Sequence, residues 1–253
     1  MSLFIAALSK ELREQWRTYR FLVALVVLTL FGLTSPLLAF FTPQIVAAVP
    51  GAEAFAGLIP PPSVKDAIGQ YIENLSQFAI LLAILLPMGA VASEKERGTA
   101  ALVLAKPLPR ATFLLAKAAA YLLVFAACFL LAGLAGYYYT GLLFEFLPLD
   151  QWLAMNALLL LYVMVYTALT LLFSTLTRSQ ALAAGLSFAV LLALGVAGIS
   201  PALAVYLPAQ LVNWGASLWV ETGKAHWGAV GVSAGIVVAA LLAAWLAFRR
   251  QEL

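Results

Sequence analysis

Apolar residues in this chain come in long runs separated by brief polar stretches, not in short alternations. A run of about 20 such residues, rising 1.5 Å per residue as a helix, matches a hydrocarbon layer about 30 Å thick. The pattern therefore predicts membrane spans at about 21–41, 75–92, 113–140, 152–177, 181–200 and 227–248. The first run exceeds the ~7–15 residues of a signal-peptide core, so it reads as a span. Pro87 predicts a kink near the inner end of the second. Lys117 lies close enough to the edge of the third to snorkel to the interface, and Tyr137, Tyr138 and Tyr139 mark its far edge as an aromatic belt would.

Between the runs the pattern changes. Residues 2–19 place Phe4, Leu8, Leu12 and Trp16 at four-residue spacing, with Lys10, Glu11, Arg13, Glu14 and Arg17 between them. That predicts an amphipathic helix lying in the headgroup layer. The connector 42–73 contains Pro43, Pro50, Pro60, Pro61 and Pro62 and is long enough to carry a helix of its own, from a Ser63 cap through Gln70. Residues 179–220 carry no charge, yet as one helix they would be about 63 Å long, twice the hydrocarbon thickness. With Pro201, Pro208, Asn213 and Gly215 interrupting the second half, the region 201–226 is expected to form a pair of short re-entrant helices on the outer side instead of a seventh span.

The stretch 93–112 is where internal charge is concentrated. Glu94, Lys95, Glu96 and Arg97 are adjacent, and burying all four in lipid would cost about 10 kcal/mol, so the stretch lies outside it. Residues 100–105 are good helix formers, and Pro107 and Pro109 stop the helix as the chain returns to the membrane. The expectation is a short cytoplasmic helix pinned between two spans. A merely solvated charge cluster is the plainer alternative, but it would not need the Pro-x-Pro stop or the break at Gly98-Thr99.

Composition agrees with an all-α polytopic membrane protein: 64% of residues are hydrophobic and 10% charged, against roughly a quarter charged in soluble domains. The net charge of +3 gives no case for nucleic acid, because six spans put twelve of the fourteen lysines and arginines on one side, leaving Lys65 and Lys224 on the other. By the positive-inside rule both termini are cytoplasmic, in a multi-pass protein of the cell membrane. Cys128 is the only cysteine, which leaves no disulfide framework and no cysteine metal centre. No ionisable side chain falls near the middle of a predicted span, which argues against a proton-driven carrier. His226 is the lone histidine, beside Trp227 at a boundary, so no catalytic set forms around it. The only Gly-Lys pair is Gly223-Lys224, with Leu218 where a phosphate-binding loop needs its first glycine. The chain is expected to be no enzyme and to hold no cofactor. Any motor sits in another protein.

Glu94-Lys95-Glu96-Arg97-Gly98-Thr99, followed by Leu104, Pro107, Arg110 and Lys117, resembles the E-x-E-R-G-T…L…P…R…K signature of the permease subunits of type-two ATP-binding-cassette (ABC) exporters. Lys10-Glu11-Leu12-Arg13 is similar to their elbow helix, and the connector 42–73 most resembles the branch of the nitrous-oxide-reductase maturation permease. The resemblance implies a coupling helix docking into a separate ATPase subunit, which binds the ATP. It places Glu94, Glu96, Arg97 and Thr99 at that contact, with Arg178 in a second, shorter coupling turn. It further implies a second permease copy, identical or merely similar, and surrounding membrane lipid. A mechanical subunit that passes ATPase motion to an extracytoplasmic protein is the alternative, kept open by the length of the connector.

Overall fold

The computed structural model describes residues 3–50, 60–98, 109–219 and 224–251. Six of its helices are long and apolar enough to cross a membrane. In chain order the elements are α1 (Leu3–Arg17), α2 (Arg20–Ala47), α3 (Val64–Leu85), α4 (Ala92–Glu96), α5 (Arg110–Leu143), α6 (Leu149–Leu176), α7 (Gln180–Ala197), α8 (Pro201–Ala204), α9 (Ala209–Ser217) and α10 (Trp227–Arg249).

The spans alternate in direction, which gathers α1, α4, the start of α5 and the ends of α6 and α10 at one end of the bundle, here the charged end. Helix α6 is the central column: α3, α5, α7, α9 and α10 all pack against it. Its Trp152, Met155, Leu159, Val163 and Tyr166 are buried. Helices α2 and α5 approach closely, because Gly32 offers no side chain; a Cβ there would lie 2.5 Å from the Ala132 carbonyl oxygen. Small residues permit such contact between spans, where dispersion has to replace the hydrophobic effect.

Several polar side chains inside the bundle are paired, as a lipid surrounding favours. The Tyr71 hydroxyl donates to Asn156 Oδ1 at 2.7 Å, and the Trp152 indole N–H donates to the Gly133 carbonyl at 3.0 Å. Asn74 Nδ2 donates to Ser35 Oγ at 3.0 Å.

Four sequence expectations are corrected. The short helix ending at Gln70 and the second span, expected from residue 75, are one helix, because Ile68, Tyr71, Ile72 and Leu75 form one continuous buried face. Its start is fixed by Asp66, whose carboxylate accepts from both the Ser63 N–H and hydroxyl, and it ends at Leu85, two residues before Pro87, instead of kinking onward to residue 92. The first span runs beyond residue 41 to Ala47 with Pro36 and Pro43 inside it, the connector shrinking accordingly. Lys117 does not snorkel; its side chain is 1% exposed.

At the far end, α8 and α9 are short, and α9 folds back onto α6 and α3 with Leu211 and Trp214 buried. His226 is 6.4 Å from the Trp214 ring, at the mouth of α10. Cys128 is core filler, fully buried on α5.

Candidate coupling site

Glu94, Lys95 and Glu96 lie in α4, and Arg97 is its C-cap. The helix is only 5 residues long, too short to be stable alone, so its placement depends on what holds it. Ser174, on the last turns of α6, accepts hydrogen bonds from the Val91 and Ala92 backbone N–H groups, both at 3.0 Å. A side chain from another span thus satisfies donors at the start of the helix that have no partner within it. At its other end Gly98 adopts φ 68°, the left-handed conformation that stops a helix at low cost in glycine. The break expected at Gly98 is therefore present, while Thr99 and the 100–105 helix lie outside the described residues.

The four side chains divide. Glu96 and Arg97 are exposed. Glu94 turns inward: its Oε1 accepts from Lys117 Nζ at 2.8 Å and lies 3.4 Å from Lys10 Nζ. Lys117 also reaches Glu11 Oε2 at 2.9 Å, and Lys10 holds the other Glu11 oxygen at 3.0 Å. One buried ammonium on α5 thereby binds carboxylates from α1 and α4, with the Phe113 ring 4.8 Å below it. Glu11, Glu14 and Glu94 lie close enough together to hold a metal, but the lysine ammoniums already lie among these carboxylates.

Lys95 points the other way, toward the ends of α6 and α10. Its ammonium donates to the Thr175 carbonyl, which also accepts from Gln251 Nε2 at 3.1 Å. It lies 5.8 Å from the Phe248 ring, which stacks on Phe113. Half-burial, then the positive charge of Arg178, pull its pKa down to about 8. Lys10 moves upward instead: desolvation opposes the shift, but Glu11 and Glu94 outweigh it. Arg110 completes the cluster, donating from Nη1 to the carbonyls of Phe248, Arg249 and Gln251 at 2.6, 2.9 and 3.0 Å, and so satisfying the last turn of α10.

Of the residues singled out from sequence, Glu96, Arg97 and Arg178 are exposed at the same end, with Arg178 near enough to perturb Lys95. Glu94 is an internal tie. Sequence reasoning missed Glu11, Ser174, Thr175 and Phe248, and gave Lys117 the wrong surroundings. A signal for Glu11 existed: Leu8, Glu11, Leu12 and Gln15 share one helical stripe, so an acid lies on the face that α1 buries.

A bundle of six spans, with its charges gathered around a clamped short helix at one end, defines a multi-pass membrane protein. The chain belongs to the ABC-2 family of transporter proteins, whose family model matches residues 5–253. It is a membrane permease component of that superfamily, a non-enzymatic transport subunit that associates with an ABC ATPase and with membrane lipid. It is also similar to an uncharacterized transmembrane protein, YxlG, of Bacillus subtilis (strain 168), at 28% identity over 100% of this chain and 99% of the relative.

Proposed function

We propose that the chain is the permease half of an ABC exporter, working as two copies, or with a similar partner, beside two ATPase subunits. The charged end faces the cytoplasm, with both termini there, as the crowding of lysine and arginine supports. Helix α4 is the coupling helix, the turn around Arg178 the second coupling element, and α1 the elbow. Helices α8 and α9 form the re-entrant hairpin on the outer side.

The observation that carries this reading is the division of α4. Glu96 and Arg97 are free to meet an ATPase groove, while Glu94, Lys95 and the helix N-terminus are tied to α5, α6 and α10. A push on the exposed side chains is transmitted to three spans at once. Glu96→Lys or Arg97→Glu is expected to abolish co-purification of the ATPase while the permease still inserts; unchanged co-purification would overturn the assignment.

Export of a solute is preferred over force transmission to an outer protein. The connector that suggested the second reading, and with it the nitrous-oxide-reductase maturation branch, is reduced to 48–63, since its flanks belong to α2 and α3. ATP-dependent solute movement in vesicles supports export. Capture of an outer-face protein that is lost on deleting 51–59 would reverse the preference.

A further inference from the structure

An apolar cavity of about 240 Å³ lies between α1, the start of α2 and the middle of α5. Its walls include Trp16, Phe21, Leu123 and Ala127, with Trp16 stacked on Phe21 at 5.5 Å. Trp16 and Leu123 are also exposed at the outer surface of the bundle, so the cavity opens sideways toward lipid. Gln15 is the one polar side chain lining it. It is 4% exposed and hydrogen-bonds the Tyr121 side chain, yet its Oε1 has no partner among the described residues. A buried carbonyl oxygen without a donor costs about 1–3 kcal/mol, so this wall is built for a group that donates to it. Arg20 opens α2 within electrostatic range of Tyr121, and Glu11, in the same range, is already held by Lys10 and Lys117. The adjacent acid, Glu14, is turned toward Lys10 at 3.7 Å.

We infer that the cavity binds one anionic glycerophospholipid, with an acyl chain against Trp16, Phe21 and Ala127, a headgroup hydroxyl donating to Gln15 Oε1, and the phosphate facing Arg20. The pairing follows from the chemistry of the walls. An apolar slot takes a chain, a lone acceptor takes a hydroxyl, and a guanidinium takes a phosphodiester. Because Glu11 lies one turn before Gln15 on α1, the seated lipid braces the helix face that holds Lys117.

Native mass spectrometry of the full-length chain, purified with phosphatidylglycerol or phosphatidylcholine, tests the site. One phosphatidylglycerol per chain is expected to survive activation that strips phosphatidylcholine. Ala127→Phe, which fills the slot, and Gln15→Leu, which keeps its volume but removes the acceptor, should each lower that retention about tenfold or more, a loss of roughly 1.4 kcal/mol or more. On the otherwise unaltered chain, phosphatidylglycerol brominated in its acyl chains should quench a component of the tryptophan emission that is missing from Trp16→Phe. Equal retention of the two lipids, retention indifferent to both variants, or quenching indifferent to Trp16 would each overturn the assignment. No ATPase takes part, so a negative result leaves the permease reading standing.

Discussion

Replacing Lys117 with methionine keeps the length of the side chain and deletes its charge. The change leaves carboxylates 7% and 12% exposed, at Glu11 and Glu94, without the ammonium that lay 2.9 and 2.8 Å away. Breaking a buried pair from one side costs roughly 3–5 kcal/mol. Lys10 remains at 3.0 and 3.4 Å, but it is 45% exposed, so it returns only about 1 kcal/mol. The expected net loss is roughly 2–4 kcal/mol. Cys128 supplies the assay, since it is the sole cysteine and is fully buried on the same helix. Its labelling rate by a thiol reagent in mild detergent follows the opening equilibrium of α5. A 2–4 kcal/mol loss corresponds to labelling roughly 30- to 1000-fold faster, at 1.4 kcal/mol per factor of ten. Adding Glu11→Gln and Glu94→Gln to Lys117→Met should return most of it, because no orphaned charge then remains in the interior. Labelling at the wild-type rate in Lys117→Met, or a triple variant as fast as the single one, would refute the claim that this tie holds α1 and α4 to α5.

Two further outcomes are expected. Acylation of Lys95, followed on its peptide by mass spectrometry, should show a midpoint near pH 8 against an ordinary 10.5, and Arg178→Ala should raise it only part of the way, because half-burial is the larger cause. The folded pKa is the lower one, so the unfolded chain keeps a proton that the folded chain has lost between about 8 and 10.5, and stability should rise with pH across that window; a midpoint at 10.5 would contradict the geometry. Gly32→Ala should cost about 1–3 kcal/mol by forcing α2 from the Ala132 backbone, and so speed Cys128 labelling, whereas Gly231→Ala, with nothing within 4 Å, should leave the rate unchanged.

Much of this architecture was legible in the chain because spanning a bilayer is a local demand. Each run must be apolar over its own length and satisfy its own backbone, so the six spans could be counted without knowing what any of them touches. The break at Gly98 and the cap at Ser63 were equally local, since one residue's conformation or one short hydrogen bond decides each. Boundaries failed where a neighbour decided them. Helix α3 continues through Glu73 because its opposite face is buried against the other spans, which hydropathy within a single window does not register.

The division of the charged stretch could not be read from its residues, because Glu94 and Glu96 are chemically identical and differ only in what lies beside them. Lys117, 23 positions on, and Glu11, in another helix, turn one of them inward. Ser174 fixes α4 from 83 residues away. The sequence by itself determined that this is a bundle of six spans with its charges at one end, since partition between water and lipid acts on each segment separately. Which of those charges are tied into the bundle and which stay exposed is a matter of contact between distant segments, and only the tertiary structure decided it.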